Sequence, residues 1–416
     1  MPEIIKIEKL VHGGQGLGVL ADGRKVFVWN ALPGETVSVE LERSKKSYAE
    51  GTAVKVIKPS SDRLEPKEQN YLATSPWQIM NFDTENHWKQ EITSELFTQA
   101  GIRLPDFGLQ TDKKQFEYRN KMEYSFWGDD AGVHLALYNR GSHQKQIVAG
   151  SALALPAIDL AAQAVLEELN NRGVRAGDLK TIIVRSNQAG STVAALFVKA
   201  KTFLKLKLPE GLRGLRVYYS NPKSPASVRS ELIYELGDAT LKDSLLDKLY
   251  IYDVDSFFQV NVPVFELALK RMKEFSSASE LVDMYAGVGS IGLSLAKKSV
   301  DLVESDPATA AMAMINAEAS GLKASVTQVA SEKTLDYITA DKPIIFDPPR
   351  AGLHGDITDR IIESKPPKII YLSCNPATQA RDIAKLQADY KITHFEAFNF
   401  FPRTPHIESL SILERK

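Results

Sequence analysis

The first 58 residues alternate between apolar and polar positions, which is the pattern of short β-strands. Residues 5–10 and 37–41 both alternate in this way, and the apolar run 25–29 lies between them. A glycine-rich turn at 13–18 separates the first of these segments from the next. Short strands with glycine and proline turns predict a small β-barrel over residues 1–58.

A second pattern covers residues 70–245, after a linker at 59–63. Strand-like apolar runs at 181–184 and 192–198 are mixed with the helical periodicity of 158–169. This mixture predicts a central α+β domain.

Two stretches of the central region carry features of RNA recognition. Tyr118–Phe126 interleaves cations with aromatic residues, and the stretch 199–216 is rich in lysine and arginine. Cations contact phosphates and aromatic rings stack on unpaired bases, so both stretches are candidates for RNA contact. The alternative is that the aromatic residues pack one face of a sheet and the cations are merely solvated.

From residue 246 to 416, strand and helix candidates alternate, which predicts a Rossmann-like α/β domain with a doubly wound parallel sheet. The strand candidates are 281–285, 302–306, 343–346 and 369–372, with two late strands at 394–398 and 410–413, and the helix candidates between them include 291–298 and 308–320.

Cys374 is the only cysteine of the chain, and its position is informative. The strand candidate 369–372 precedes it, Asn375 is a good helix N-cap, and Pro376 suits the first helical turn. A thiol between a strand end and a helix N-terminus is expected to have a lowered pKa, and the thiolate is the nucleophilic form. On position alone, a buried structural cysteine remains the alternative.

Composition and charge limit the classes of protein. The length of 416 residues suggests two or three domains, and the chain has no long apolar run that would predict a membrane span or a signal peptide. One cysteine excludes an internal disulfide and a four-cysteine metal site, which fits a cytoplasmic protein. The net charge of −1 gives no general affinity for nucleic acid, so an RNA partner would need local basic patches.

The turn after the strand at 281–285 carries cofactor chemistry. Gly287 and Gly289 would let a ligand approach the backbone, and Glu304 could accept hydrogen bonds from a ribose diol. These features alone fit NAD as well as S-adenosylmethionine. The turn departs from G-x-G-x-x-G, because Gly292 falls inside the helix, and the strand end at 347–349 is Asp-Pro-Pro. This combination is typical of S-adenosylmethionine-dependent methyltransferases.

Together these motifs resemble the RNA uracil-5-methyltransferase family over essentially the whole chain. The first 58 residues resemble a TRAM domain, a small OB-like RNA-binding barrel, in their Gly-Gly-Gln-Gly-Leu-Gly turn and Leu-Pro-Gly-Glu corner. The other motifs that carry the resemblance are Phe258–Asn261, Asp283–Ser290, Asp347–Gly352, Ser373–Thr378 and Pro402–Glu408.

The resemblance implies a reaction that explains these residue types. A thiolate adding to C6 of uracil makes C5 nucleophilic, C5 then takes the methyl group of S-adenosylmethionine, and a base removes the C5 proton. It implies that Cys374 is the nucleophile and Glu408 the base. The residues that it implies for cofactor contact are Gln259, Tyr285, Ser290, Glu304 and Asp347, of which Asp347 also lies near the target base. Ser290 stands where relatives often carry asparagine, so its contact is open.

Other readings compete with this one. Cytosine-5-methyltransferases place a cysteine in the proline-rich motif, which is Asp347–Arg350 here and has none. An amino-methyltransferase would have an aromatic residue in place of Arg350. A non-catalytic RNA-binding protein would need neither Cys374 nor Glu408. In that case Cys374 could be a structural thiol and Glu408 a surface carboxylate. Gln259 could be a structural amide.

The choice between ribosomal and transfer RNA stays open, and the barrel slightly favours ribosomal RNA. We expect no membrane association and see no sign of an obligate protein partner.

Many members of this family carry an iron–sulfur cluster held by four cysteines. The matching stretch here, Pro66–Ser75 ahead of Trp77, has no thiol, and neither has the fourth place near Ser151. Such clusters need thiolate ligands, so the missing thiols predict that this chain has no cluster and no metal site. We expect ordinary packing, through Tyr71, Leu72 and Trp77, to hold this region together.

Overall fold

The N-terminal barrel forms a six-stranded sheet in the computed structural model, which describes residues 2–276 and 278–416. Its strands are β1 (Glu3–Lys6), β2 (Lys9–Leu10), β3 (Gly16–Val19), β4 (Lys25–Trp29), β5 (Thr36–Ser44) and β6 (Tyr48–Lys58), in the order β1-β5-β6-β4-β3-β2. Strand β3 crosses close to β1, since a Cβ added to Gly18 would lie 2.4 Å from Cγ2 of Ile5. The sheet therefore closes around an apolar core, as predicted, and Gly16 and Gly18 lie in β3 rather than in the turn before it.

The central sheet has seven strands in the order β10-β9-β8-β11-β12-β13-β14. Its elements are β8 (Lys121–Asp129), β9 (Gly132–Tyr138), β10 (Lys145–Ile147), α3 (Pro156–Asn171), β11 (Leu179–Ser186), β12 (Thr192–Val198), β13 (Leu212–Tyr219) and β14 (Glu231–Gly237). They follow α1 (Tyr71–Thr74), α2 (Phe82–Gln99) and β7 (Leu109–Gln110), and a hairpin of β15 (Thr240–Leu245) and β16 (Lys248–Asp253) comes after them. Helix α3 covers one face of this sheet because its apolar side packs against β8, β11 and β12.

The aromatic residues proposed for RNA stacking are part of the core. Tyr118, Tyr124 and Phe126 are each no more than 3% exposed. The expectation of base stacking by these rings is therefore wrong, and the alternative of sheet packing is right for them. In the basic stretch, Arg216 is paired with the carboxylates of Asp253, Asp255 and Glu235, so it too is engaged within the protein.

The C-terminal sheet has eight strands in the order β19-β18-β17-β20-β21-β23-β22-β7. Its elements are α4 (Val262–Phe275), β17 (Glu280–Asp283), α5 (Ser290–Leu295), β18 (Ser299–Glu304), α6 (Pro307–Ala319), β19 (Lys323–Gln328), β20 (Ile344–Phe346), α7 (Gly355–Ser364), β21 (Lys368–Ser373), α8 (Pro376–Leu386), β22 (Tyr390–Phe398) and β23 (Glu408–Arg415). Strands β17 to β21 are parallel, and β23 inserts antiparallel between β21 and β22. The Rossmann-like prediction is confirmed, with two additions: this reversed strand and the polar edge strand β19, whose sequence has little apolar signal.

Residues 82–110 pack with the C-terminal sheet although they precede the central one. Helix α2 lies against α8, and β7 pairs with the end of β22. Phe97 of α2 contacts Phe395 of β22 edge to face, with ring centroids 4.9 Å apart. The boundaries 1–58, 70–245 and 246–416 stay predictions from the sequence, and this segment links the last two regions in space. None of the helices among the described residues is both long and apolar enough to span a bilayer.

The carboxylate of Glu68 organises the segment Pro66–Ser75, which lacks the cysteines of an iron–sulfur cluster. Oε1 of Glu68 accepts hydrogen bonds from Thr74, Ser75 and the side-chain amide of Gln78, at 3.0–3.2 Å. Its Oε2 accepts from the backbone N–H of Ala152 at 2.8 Å, which joins the segment to the central domain. Hydrogen bonds to a charged acceptor each contribute about 1.5–3 kcal/mol, so Glu68 is a cross-link between two parts of the chain.

The aromatic packing expected for this segment is present in part. Tyr71 and Trp77 lie in a cluster with Leu10, Leu32 and Ile407, so they tie the segment to the barrel and to the C-terminal domain. Leu72, the third residue named for this role, is not in that cluster and contributes its carbonyl oxygen to a hydrogen bond from Arg140 instead.

Glu68→Ala should lower the free energy of unfolding by about 1–3 kcal/mol, because four donors lose a charged acceptor. Urea denaturation followed by tryptophan fluorescence measures this change. Glu65→Ala is the matched control, since Glu65 is exposed and its side chain bonds to no residue in the described ranges. Equal stability of the two variants would contradict the assignment of Glu68 as a cross-link.

Candidate active site

Cys374 lies where the sequence places it, between a strand and a helix. Strand β21 ends at Ser373, and helix α8 begins at Pro376. The side chain of Asn375 caps the helix by accepting a hydrogen bond from the N–H of Ala377 at 3.2 Å. The thiol is half-buried and lines a cavity, so it is accessible for chemistry.

The expected lowering of the Cys374 pKa is wrong for this site. Burial, followed by the carboxylates of Glu408 and Asp347, raises the pKa of the thiol to about 12. Arg350 and the local backbone act in the opposite direction but do not outweigh these effects. The thiol is therefore protonated in the ligand-free protein at neutral pH.

Glu408 is a buried carboxylate at the start of β23, and it is only 2% exposed. The alternative of a surface carboxylate is thereby excluded. Its Oε2 finds no hydrogen-bond partner among residues 2–276 and 278–416. Burial and the charge of Asp347 raise its pKa well above the usual value, and a raised pKa makes the carboxylate a stronger base.

The loop before Glu408, residues 399–407, is fixed by a buried ionic network from α2. Glu85 accepts hydrogen bonds from the backbone N–H of Arg403 and the side-chain amide of Asn399, each at 3.0 Å. Lys89 lies 3.0 Å from Glu85 and donates to Oδ1 of Asn399 at 2.6 Å. An ion pair that is this completely buried and hydrogen-bonded holds its loop in one arrangement, which places Glu408 beside Cys374.

Gln259 and Asp347 come together from distant parts of the sequence. The side-chain amide of Gln259 lies 3.3 Å from Oδ2 of Asp347. Asn120 donates to the carbonyl of Gln259 at 2.9 Å, and the guanidinium of Arg185 donates to the carbonyl of Phe258 at 3.0 Å. These contacts fix the loop that presents Gln259.

Sequence reasoning missed Asn120 and Arg185 as supports of this loop. The available signal was an arginine directly after the apolar run 182–184 of strand β11, and Arg185 is fully buried there.

Two of the residues predicted to contact the cofactor, Tyr285 and Glu304, lie at the carboxyl ends of β17 and β18. Glu304 accepts hydrogen bonds from the backbone N–H of Gly287 at 2.9 Å and of Asp306 at 2.8 Å. Gly287 has a φ of +57°, and a Cβ added there would meet only the ring of Phe257, at 3.8 Å. Phe257, a second residue that sequence reasoning missed, is 57% exposed at this edge. The open space above Gly287 is a cradle that a cofactor can enter, and it fits S-adenosylmethionine.

Tyr285 and Ser290 lie on either side of the glycine turn 286–289. Tyr285 comes two residues after the end of β17 and is half-buried near Phe346, with ring centroids 6.4 Å apart. Ser290 is the first residue of helix α5, after the left-handed Gly289. Contact of either side chain with the cofactor stays a prediction.

Two acidic groups at the floor of the cleft suit a cationic ligand. Burial raises the pKa of Asp283 to about 7, and burial together with Asp283 raises the pKa of Asp347 to about 7. Oδ2 of Asp283 accepts from the N–H of Gly292 at 2.8 Å, while its Oδ1 has no partner within the described parts of the chain. S-adenosylmethionine carries a sulfonium, and such a charge favours the ionised form of nearby carboxyls.

Two family models match parts of this chain, and curated relatives match nearly all of it. The model of the tRNA (uracil-5-)-methyltransferase family matches residues 236–416, and the TRAM domain model matches residues 4–54. An uncharacterized RNA methyltransferase of Enterococcus faecalis is 28% identical over 99% of this chain and 97% of its own length. One of Lactiplantibacillus plantarum is 29% identical over 97% of this chain and 95% of its own length.

A solved structure covers the same architecture. The tRNA (uracil-54, C5)-methyltransferase of Pyrococcus abyssi, in complex with S-adenosyl-L-homocysteine, superposes with a TM-score of 0.78. It is 25% identical and covers 99% of this chain and 100% of its own. Fold and site thus define an S-adenosylmethionine-dependent RNA methyltransferase with a TRAM domain. The chain combines a domain that matches the tRNA (uracil-5-)-methyltransferase family with a TRAM domain.

Alkylation of Cys374 by iodoacetamide should keep accelerating about tenfold per pH unit beyond pH 9, because its thiol pKa is about 12. Glu408→Gln should lower that pKa, since it removes a negative charge, and alkylate faster at a given pH. Glu414→Gln at the far end of β23 is the control. Mass spectrometry reads the rate without ambiguity, as no other cysteine exists. A rate that levels off near pH 8.5 would contradict the raised pKa.

Proposed function

We propose that this enzyme methylates C5 of a uridine in structured RNA, ribosomal or transfer, through a covalent bond between Cys374 and C6 of the base. The observation that carries the proposal is the meeting of an accessible thiol, the buried carboxylate of Glu408 and the Gln259–Asp347 pair beside one cofactor cleft. An RNA target accords with the cytoplasmic location expected from the sequence.

Each protein group has a defined part in this reaction. The thiol of Cys374 releases its proton to solvent, the thiolate sulfur bonds to C6, and the electron pair of the C5–C6 double bond moves towards C5 and O4. Bound S-adenosylmethionine supplies a methyl group on a cationic sulfur. After C5 is methylated, Glu408 takes the C5 proton, the C5–C6 double bond re-forms and the bond to Cys374 breaks. The raised pKa of Glu408 makes its carboxylate a stronger base for this step.

The cofactor is held, in this proposal, by the cleft above Gly287. Glu304 binds the ribose diol, Tyr285 and Ser290 line the cleft, and Gln259 and Asp347 lie between the cofactor and the target base. The positive charge of the sulfonium also lowers the thiol pKa of Cys374, because it offsets the nearby carboxylates. Formation of the thiolate is thereby linked to the presence of the methyl donor.

The direct test is methyl transfer from labelled S-adenosylmethionine into separated ribosomal and transfer RNA, followed by nucleoside analysis. We expect 5-methyluridine in one fraction, and loss of activity by roughly 10³-fold or more in Cys374→Ala. RNA containing 5-fluorouridine should form a stable adduct with the wild-type protein, since fluorine cannot leave as a proton, whereas unsubstituted RNA should not accumulate one. Adduct formation by Cys374→Ala, or 5-methylcytidine as the product, would refute the proposal.

Glu304→Ala should weaken S-adenosylmethionine binding by about 1–3 kcal/mol, the contribution of a hydrogen bond to a charged group. Titration calorimetry without RNA measures this change. Glu318→Ala, on the exposed side of α6, is the control and should bind normally. Unchanged affinity in Glu304→Ala would show that Glu304 does not bind the ribose diol, and it would leave the proposed role of Cys374 unaffected.

A further inference from the structure

A cavity of about 350 Å³ opens beside Cys374 and is lined by all three regions of the chain. His12 comes from the barrel, Thr74 from the segment Pro66–Ser75, Arg140 from the β9–β10 loop and Arg350 from the C-terminal domain. Its volume is in the range of ligand pockets. Because the cavity adjoins the nucleophile, its occupant is the part of the substrate next to the reacting base.

Two arginines determine the charge of this cavity. Arg140 and Arg350 line it, and within the described chain no aspartate or glutamate does. Burial and Arg350 lower the pKa of His12, and burial followed by Arg350 lowers the pKa of His406 to about 3. Both imidazoles are therefore neutral at pH 7, and the guanidinium groups give the cavity a positive potential that attracts an anion.

Arg140 is held in one orientation by its neighbours. Its guanidinium stacks 4.0 Å from the centre of the Trp29 ring in the barrel, and its Nε donates to the carbonyl of Leu72 at 2.6 Å. Its two Nη groups make no hydrogen bond to any residue that the structure describes, and no carboxylate there pairs with it. An arginine that is fixed in this way, with free donors, is prepared for a planar or tetrahedral oxyanion.

Arg350, the other arginine of the cavity, has its own supports. Its Nη2 lies 3.2 Å from Nδ1 of His406, and the neutral ring can accept a hydrogen bond. Its carbonyl oxygen accepts from the side chains of Asn375 at 2.9 Å and Thr378 at 3.2 Å. The backbone of Arg350 is thus tied to the residue that follows Cys374.

We propose that this cavity is a binding site for an RNA backbone phosphate adjacent to the target nucleotide, held between Arg140 and Arg350. The proposal rests on the function proposed above and specifies its substrate as a polynucleotide rather than a free nucleoside. A phosphate accompanies every nucleotide that reaches Cys374, whatever the flanking sequence, and it is an oxyanion that arginine donors match. The TRAM barrel then forms one wall of the active site, because Trp29 supports Arg140 and His12 lines the cavity.

Protection of Cys374 from iodoacetamide at pH 9 reports occupancy of this cavity. We use nonauridylate as the probe, with either phosphodiester or uncharged methylphosphonate linkages. The phosphodiester should protect the wild-type protein, and the methylphosphonate should need about tenfold more for half protection. Arg140→Gln should raise the half-protecting phosphodiester concentration about tenfold, and reduce its dependence on salt by about one released ion.

Arg140→Gln keeps an amide donor for the carbonyl of Leu72, and Arg140→Lys, which keeps the charge, is the second variant should the first not fold. Arg140→Lys should retain most of the salt dependence while losing affinity. Arg175→Gln is the control, because Arg175 is exposed and pairs only with Asp178 among the described residues. Equal protection by the two probes, an unchanged salt dependence in Arg140→Gln, or no protection of the wild-type protein by the phosphodiester would each overturn the proposal.

The two proposals fail separately in these experiments. Protection requires no methyl transfer, so a protein that protects as expected but forms no 5-methyluridine keeps the phosphate site and loses the proposed function. A protein that forms 5-methyluridine but shows no effect of Arg140→Gln keeps the function and loses this site.

Discussion

The buried carboxylate of Glu85 is the constraint on which the active site depends. It binds Lys89 within α2 and also the amides of Asn399 and Arg403, more than 300 residues later. Removing one partner of such a buried pair leaves an uncompensated charge, so the arrangement is held strongly in one state. The loop that it fixes leads directly into Glu408. Helix α2 therefore belongs with the C-terminal sheet in space, because it positions the loop that leads into Glu408.

Acidic and basic side chains lie in different parts of the site. Its floor carries the carboxyls of Asp283, Asp347 and Glu408, and their burial raises each pKa. Its mouth carries the guanidinium groups of Arg140 and Arg350. A cationic methyl donor complements the floor, and an anionic polynucleotide complements the mouth. Because charges interact strongly where water is excluded, this separation directs each substrate to its own side of the thiol.

The three regions of the chain are connected by specific polar contacts as well as by shared apolar clusters. Trp77 donates to the carbonyl of Gly14 in the barrel at 3.0 Å, and its own backbone N–H donates to the carbonyl of Arg403 at 3.1 Å. Glu68 joins the same segment to Ala152 of the central domain. A segment of about ten residues thus fixes the barrel and the central sheet relative to the catalytic loop.

The sequence alone determined the strand–Cys374–Asn375 junction, the cofactor turn at Gly287 and the family resemblance, because capping and periodicity are local. Only the tertiary structure decided which way the Cys374 pKa moves: the helix terminus is local, whereas burial and the carboxylates that outweigh it come from residues far along the chain. It also decided that Tyr124 packs a core, since alternation marks two faces of a strand but not which face is covered. It also excluded the alternative that Glu408 is a surface carboxylate, because β23 inserts between two strands that the pattern did not order.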